Sequence, residues 1–247
     1  EGKFIAGGPE AARPGSVVEA RIDMARRAAT ARNHTATHLL HRALRDLLGE
    51  GAVQAGSLVS PEYLRFDFNY YSRVPEETIL EIEKRVNAVV REDRPVLTRI
   101  KPYDQAVAEG ATALFGEKYE SRVRVVEVEG FSQELCGGTH VRASGEIGAF
   151  VITAESSVAS GVRRIEALTG ARAIERLLER SHLVDSLRSM LTAGDENLAA
   201  QVDEVLRERK ALQKEIDELK KEKIQQQVEK DLASNFEDLP KGKMYVS

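Results

Sequence analysis

Two short residue pairs carry the metal-ligating chemistry of this chain. The sequence holds five histidines and one cysteine, and four of these six residues form pairs of equal span, His34 with His38 and Cys136 with His140. Imidazole nitrogen and thiolate sulfur are the ligands that Zn²⁺ prefers, and four of them complete a tetrahedral site. Histidines four residues apart share one face of a helix. The pattern predicts a zinc site if the fold brings the pairs together, and zinc with one labile position can activate water.

Each pair also has a simpler interpretation. Helix histidines can merely face water, and a single cysteine is commonly a small buried hydrophobic residue. Gly137 and Gly138, between the ligands of the second pair, favour the metal, because glycines let a loop turn tightly and let backbone N–H groups approach a substrate. His41 shares the helix face but breaks the spacing, so we expect it to support a ligand or to lie at the surface. His182 is expected to be solvated.

The residues between the first two histidines argue against peptidase chemistry. A zinc-protease helix carries a glutamate general base between its histidines, but residue 35 is threonine and no carboxylate lies between His34 and His38. A site of three histidines and one cysteine without a nearby acid suits an activated ester better than an amide. The sequence has no phosphate-binding P-loop, dinucleotide fingerprint or nucleophile elbow.

Hydrophobic periodicity up to residue 170 predicts an α+β fold around an antiparallel sheet, with packed helices. Asn33 is a suitable N-cap and Gly49 a suitable stop for a helix over 34–48. Pro75 opens a second helix. The remaining predictions are a short helix over 103–109 and strands over 17–24, 53–59, 63–70, 96–101, 122–129, 147–154 and 162–168.

The composition changes after residue 170. Apolar residues then follow helical and 4-3 spacing on both sides of Ala193-Gly194-Asp195. This pattern predicts two helices over 171–233 that pack as an antiparallel hairpin or coiled coil. Taken alone, that segment would also suit a helical scaffold or a dimerisation element. Residues 235–242 are predicted to be a linker, and the last residues resemble the start of a strand.

The bulk composition narrows the class of protein. Lys and Arg number 36 against 40 Asp and Glu, which gives a net charge of −4 without the basic excess of a typical nucleic-acid binder. Apolar runs are too short for a membrane span, so we expect no membrane partner. One cysteine excludes an internal disulfide framework and fits a reducing cytoplasm. The first residue is not methionine, and we expect a piece of a longer protein.

Several strings of residues resemble the editing region of the alanyl-tRNA synthetase family. Free-standing alanyl-tRNA editing proteins and threonyl-tRNA synthetase share the two ligand pairs, but the string Gly161–Ala167 and the helical hairpin favour the alanyl family. The strings are Arg32–His41, Gln54–Val59, Leu64–Phe68, Ala113–Lys118, Glu134–His140 and Gly161–Ala167.

The resemblance implies four segments. Residues 1–30 would end a small β-barrel, 31–170 would form a zinc-binding editing domain, 171–233 a helical hairpin, and 234–247 a linker with the start of a truncated C-terminal domain. In the family that domain binds tRNA and promotes homodimerisation. The aminoacylation domain with its ATP site is absent from this sequence, so ligation of alanine would belong to the parent protein.

The implied function is hydrolysis of mischarged Ser-tRNA(Ala) and Gly-tRNA(Ala). A pocket shaped for alanine rejects an amino acid smaller by one methylene by only ~1–3 kcal/mol, so a second site must remove the errors. The partner would be the acceptor end of tRNA(Ala) and the cofactor zinc. The alternative is a module in which a structural zinc supports tRNA docking without turnover.

The resemblance also assigns residue roles. Gln54 could form a hydrogen bond with the aminoacyl ester or lie on a strand surface. Thr35 and Thr37 could contact a serine hydroxyl or lie on a helix surface. Arg163 and Arg164 are adjacent on one strand and therefore face opposite sides of the sheet. At most one of them should contact tRNA, while the other pairs with a carboxylate. The expected metal ligands are His34, His38, Cys136 and His140; the catalytic group is Gln54 with the backbone N–H groups of Gly137 and Gly138; and the substrate-binding group is Thr35, Thr37, Thr139, Arg163 and Arg164.

Overall fold

The chain forms five described helices and nine described strands that belong to two separate units. The computed structural model describes residues 21–113, 119–191, 197–234, 236–239 and 242–245, and the boundary between the units follows Leu178. The helices are α1 (Met24–Leu48), α2 (Glu76–Arg91), α3 (Tyr103–Ala108), α4 (Gly170–Leu191) and α5 (Leu198–Ser234). The strands are β1 (Gln54–Val59), β2 (Leu64–Asn69), β3 (Val96–Pro102), β4 (Arg122–Val128), β5 (Ser132–Leu135), β6 (Phe150–Ala159), β7 (Val162–Thr169), β8 (Phe236–Leu239) and β9 (Gly242–Tyr245).

Helix α1 begins earlier than the sequence predicts. Asp23 is its N-cap and accepts the Arg26 N–H at 3.0 Å. Asn33, the predicted cap, is instead buried inside the helix, where its amide donates to the Ser60 carbonyl at 2.7 Å and its carbonyl oxygen accepts the Thr169 hydroxyl at 2.6 Å. The prediction was wrong because both residues are good caps and only tertiary bonding decides between them.

Helix α1 ends where the sequence predicts, but the described residues before it do not form the predicted strand. Gly49 has a φ of +97° and donates its N–H to Arg45 O at 3.0 Å, which ends the helix. Of the strand predicted over 17–24, residues 21–23 have no strand structure, Met24 begins the helix, and residues 17–20 lie outside the described residues.

A four-stranded antiparallel sheet and two helices form the main core of the first unit. The strand order is β1-β2-β7-β6, and α1 contacts α2, β1, β2 and β7. Burying each large apolar side chain contributes about 1.5–3 kcal/mol. Fully buried members include Leu39, Leu40, Leu44, Phe66, Phe68, Ile82, Phe150 and Ile165.

A three-stranded antiparallel sheet, β3-β4-β5, lies beside this core. Its small apolar cluster joins Ala106 of α3 to Val123, Val125 and Leu135. Strand β5 also contacts α1, so the second sheet covers the face of α1 that carries the histidines. Sequence periodicity did not predict β5, because four residues are too few for a readable alternation. This strand ends directly before Cys136.

The other predicted elements of the first unit match closely, with one exception. The strand predicted over 147–154 starts later, as β6 at Phe150, because Ser144–Ile147 forms a 3-10 helix. Gly148 follows with a φ of +81°, a conformation that favours glycine. The antiparallel α+β class is as predicted.

The second unit contains α5 and a two-stranded antiparallel pair, β8-β9. Two helices occupy 171–233 as predicted, with the unit boundary inside α4; their packing as a hairpin stays a prediction, and the predicted turn lies outside the described residues. The linker prediction was wrong for Phe236–Leu239, which is strand β8. The expected barrel segment over 1–30 lies largely outside the described residues. Across the described part of the chain, every helix is too short or too polar to cross a bilayer.

Candidate metal centre

Helix α1 and the loop after β5 bring the four predicted ligands together. His34 and His38 lie one turn apart on α1, with ring centroids 5.3 Å apart. The His140 ring lies 4.2 Å from His34 and 4.6 Å from His38 between centroids. With Cys136, each residue offers a ligand atom, and these atoms all lie within 4.8 Å of one another. The two pairs, far apart in sequence, therefore converge on one point.

The two distances from the Cys136 sulfur to histidine nitrogens match those around a zinc ion. Zn–N and Zn–S bonds of about 2.0–2.3 Å place tetrahedral ligands about 3.3–3.8 Å apart. Cys136 Sγ lies 3.4 Å from His34 Nε2 and 3.3 Å from His140 Nε2. Within the described residues, the buried Nδ1 of His38 has no hydrogen-bond partner, and a metal would satisfy such a nitrogen. The donor set of three imidazoles and one thiol suits zinc chemically.

The imidazoles are held in the neutral form that binds metals. The pKa of His34 is lowered to about 4, mainly by burial and to a smaller extent by the nearby His38. The pKa of His140 is lowered to about 2, mainly by burial and to a smaller extent by His38 and His34. Burial likewise lowers the pKa of His38. At neutral pH each ring therefore keeps a lone pair, which metal coordination requires.

Arg124 on β4 fixes the backbone of the ligand loop. Its Nη1 donates to Cys136 O at 2.8 Å and to Gly138 O at 2.7 Å, and its own carbonyl accepts the Cys136 N–H at 3.0 Å. The guanidinium also helps to lower the pKa values of the three histidines. The sequence offered no indication of this role, since Arg124 there is one polar residue in an alternating strand.

The two loop glycines have different environments. A Cβ on Gly138 would overlap Cε1 and Nδ1 of the His34 ring, whereas a Cβ on Gly137 would meet nothing within 4 Å. The Gly138 N–H lies 3.4 Å from Cys136 Sγ, so it faces the sulfur. Gly137 is exposed. Glycine is therefore needed at 138 for close approach to a ligand, and the N–H at 137 is nearer to solvent.

A buried carboxylate lies beside the histidines, contrary to the expectation of a site without an acid. Glu134 Oε1 lies 3.1 Å from His41 Nδ1, and its Oε2 lies 3.8 Å from His38 Nε2. His41 is 1% exposed, so the surface alternative for it was wrong and the supporting one is favoured. Glu134 stands two residues before Cys136 in sequence, but only the pairing of β5 shows that it faces α1.

Both candidate threonines of α1 are buried, which excludes their interpretation as helix-surface residues. Thr35 is 0% exposed and Thr37 is 3% exposed. The Thr37 hydroxyl donates to Asn33 O at 2.8 Å. The Thr35 hydroxyl contacts His140 Nδ1 at 3.1 Å and so reaches the second ligand pair. Neither side chain is open to solvent in this structure.

Both arginines of β7 pair with carboxylates, whereas the sequence led us to expect only one such pair. Arg164 makes a two-pronged contact with Asp67, from Nε at 2.7 Å and from Nη2 at 2.8 Å. Arg163 Nε donates to Glu155 Oε1 at 2.5 Å. Gln54 is half-buried beside a register shift in β1, and its Nε2 donates to Ser57 Oγ at 3.4 Å. No hydrogen bond among the described residues joins Gln54 to the four ligands.

Residues of the loop that carries Cys136 and His140 border two cavities. Cys136 and Gly137 border a cavity of about 220 Å³ next to Arg124. Thr139 borders another of about 350 Å³, which Arg26 and Arg27 also line. A third cavity, of about 940 Å³, is lined by His41 but by none of the four ligands. The size of a cavity therefore does not mark this site, whereas the donor atoms do.

Comparison with known proteins finds sequences similar to this chain. Residues 123–166, which include two of the ligands, match the family of the threonyl and alanyl tRNA synthetase second additional domain. This stretch of the chain is therefore similar to a domain of aminoacyl-tRNA synthetases. An alanine–tRNA ligase of Fervidobacterium nodosum is 50% identical over 207 residues, which cover 84% of this chain and 24% of that protein. One from Chlorobaculum tepidum is 51% identical over 203 residues, 81% of this chain and 23% of that protein. The chain belongs to the alanine–tRNA ligase family, and it spans about a quarter of the length of these curated relatives.

Proposed function

We propose that this chain edits tRNA(Ala) by hydrolysing the ester that joins a wrongly attached serine or glycine to the tRNA. The observation that carries the proposal is the convergence of four zinc-ligating side chains at a partly open surface of a synthetase domain. The relatives are named as ligases of alanine to tRNA. We assign that ATP-dependent step to the longer protein and not to this site.

His34, His38, Cys136 and His140 would hold the zinc. When bound, zinc polarises a carbonyl or lowers the pKa of water, which is the chemistry that ester hydrolysis needs. Glu134 is an unsuitable general base, because it is buried and its two oxygens face His41 and His38. We infer that this carboxylate supports the histidines and that the ester, an activated substrate, needs no strong acid.

Backbone and side-chain groups around the ligands would hold the substrate. Gly137 is an exposed residue, and its N–H is our candidate donor to the developing oxyanion, because the Gly138 N–H faces the Cys136 sulfur. Thr139 shares its cavity with Arg26 and Arg27, whose charges would attract the phosphates of a tRNA acceptor end. Gln54 remains our candidate for bonding the aminoacyl ester.

The paired arginines of β7 have a different role in this proposal. Because Arg163 and Arg164 are each held by a carboxylate, we assign them to the cohesion of the sheet. Charge reversal of each, with tRNA(Ala) affinity measured, tests this assignment. A loss of affinity in a variant with wild-type folding would return that arginine to the substrate site. Homodimerisation through the C-terminal region stays a prediction that sedimentation of the full chain can test.

The decisive experiment follows release of the amino acid from Ser-tRNA(Ala), Gly-tRNA(Ala) and Ala-tRNA(Ala). We expect rapid release of serine and glycine, little release of alanine, and loss of the activity in Cys136→Ala. If Cys136→Ala deacylates Ser-tRNA(Ala) at the wild-type rate, the assignment is wrong.

A second candidate function is a structural zinc that supports tRNA docking without turnover. The observation that favours it is the presence of four protein ligands, since a closed tetrahedral site leaves no position for substrate. A zinc-loaded chain that binds tRNA(Ala) but releases no serine would support this alternative and contradict the hydrolase.

A further inference from the structure

The hydroxyl of Thr35 joins the two ligand-bearing segments at a fully buried position. Thr35 Oγ1 lies 3.1 Å from Ala31 O on its own helix, 3.1 Å from His140 Nδ1 and 3.2 Å from the N of Val141. Its side chain is 0% exposed. Three polar neighbours thus surround one oxygen, and two of them belong to the loop that carries the second ligand pair.

Counting donors and acceptors fixes the direction of each bond. A hydroxyl has one proton to donate and two lone pairs to accept with. The Val141 N–H only donates, so it takes one lone pair; the Ala31 carbonyl only accepts, so it takes the hydroxyl proton. His140 Nδ1 must then donate to the remaining lone pair. The proton of the neutral His140 ring is therefore on Nδ1, and the lone pair is on Nε2.

That tautomer suits the cluster. His140 Nε2 lies 3.3 Å from Cys136 Sγ, on the side where the donor atoms converge. Histidine ligands commonly donate their second ring N–H to a nearby acceptor, which fixes both tautomer and ring orientation. Here the acceptor is a neutral hydroxyl from the helix that carries the other two histidines.

We propose that Thr35 is a positioning residue that holds His140 in the Nδ1–H tautomer, with Nε2 presented to the metal. This inference rests on the proposed metal site and deepens it. It also assigns Thr35 a role other than recognition of serine, because all three bonding capacities of its hydroxyl are used within the protein.

The test compares Thr35→Val, Thr35→Ser and Thr37→Val in the full chain. Zinc affinity is measured by competition with a chromogenic chelator, and circular dichroism reports folding. Losing the acceptor should lower zinc affinity about 10–100-fold in Thr35→Val, while Thr35→Ser keeps the wild-type affinity. Thr37→Val is the matched control, since Thr37 is also buried but its hydroxyl bonds Asn33 O and no ligand. Equal losses from Thr35→Val and Thr37→Val would overturn the proposal, as would wild-type affinity in Thr35→Val.

A second measurement does not depend on any variant folding. Nitrogen-15 NMR of the histidine rings in the metal-free wild-type chain should show His140 protonated on Nδ1, and a ring protonated on Nε2 would overturn the proposal. Failure of the metal site and failure of the Thr35 role would give different results. Wild-type protein that fails to bind zinc contradicts the metal site of the proposed function. If the wild type binds zinc and Thr35→Val binds it with the same affinity, only the role of Thr35 is contradicted.

Discussion

The two adjacent glycines of the ligand loop give the sharpest prediction. In Gly138→Ala the new Cβ would overlap the His34 ring at Cε1 and Nδ1 and would come within 3.2 Å of Nε2. Carbon atoms pack at about 3.5–4.0 Å, so the ring must retreat by more than about 1 Å. Metal–ligand distances tolerate only about 0.2 Å. His34 would therefore be lost as a ligand, or the loop would have to move with its other ligands.

The expected magnitude follows from that overlap. Overpacking of this kind typically costs about 1–3 kcal/mol, and each 1.4 kcal/mol corresponds to tenfold in an equilibrium constant. We therefore expect zinc affinity to fall roughly 5- to 150-fold in Gly138→Ala. Gly137→Ala is the matched control, because its Cβ enters open space and its φ lies outside the left-handed region.

The assay is a zinc titration of both variants against a chromogenic chelator, with the Co²⁺ absorption spectrum as a second reading of ligand number. Wild-type zinc affinity in Gly138→Ala would refute the steric overlap as a determinant of metal binding. Weaker binding in Gly137→Ala than in Gly138→Ala would refute it too, because a Cβ at position 137 meets no neighbouring atom.

Three further predictions concern the framework of the site. Arg124→Met removes two charged hydrogen bonds to the loop carbonyls, worth about 1.5–3 kcal/mol each, and should lower zinc affinity. Substitution of the exposed Arg122 on the same strand, Arg122→Met, should leave zinc affinity unchanged. Equal losses of zinc affinity in the two variants would contradict the role of Arg124. Asn33→Ala leaves the half-buried Ser60 carbonyl and the buried Thr169 hydroxyl without their partner, and the buried group alone costs about 1–3 kcal/mol, so the midpoint of urea unfolding should fall clearly. An unchanged midpoint would show that these bonds contribute little. Removing zinc with EDTA should lower the melting temperature, by an amount equivalent to about 2.7 kcal/mol if zinc was present at 100 times its Kd; an unchanged melting temperature would argue against a bound metal.

The ligand pairs could be found from the sequence because their chemistry is visible in residue type and spacing. His34 and His38 had to share a helix face, and that much was correct. The partners of the ligands could not be found in this way. Glu134, Arg124 and Thr35 matter because of the register of β4 and β5 against α1, which is set by tertiary pairing and not by local pattern.

The fold shows the same division between local and tertiary information. Strands with clear alternation, such as β2 and β4, were predicted with nearly correct bounds. The start of α1 was misplaced because Asp23 and Asn33 are both suitable caps. The sequence left two uses open for the face of α1 that carries the histidines, a metal site or contact with water, and the burial of His38 and His41 excludes contact with water for these two residues.

A metal ion held by the four ligands would also act as a cross-link within the chain. Two ligands lie on α1, which packs in the core of the larger sheet, and two follow β5 of the smaller sheet. A bound ion would tie residue 38 to residue 136 much as a disulfide closes a loop, and closing a loop of about 100 residues removes up to about 4.7 kcal/mol of chain entropy from the unfolded state. Metal loading would thereby brace the small sheet against the large one, so that the shape of the loop that carries Cys136 and His140 and the cohesion of the domain would depend on the same ion.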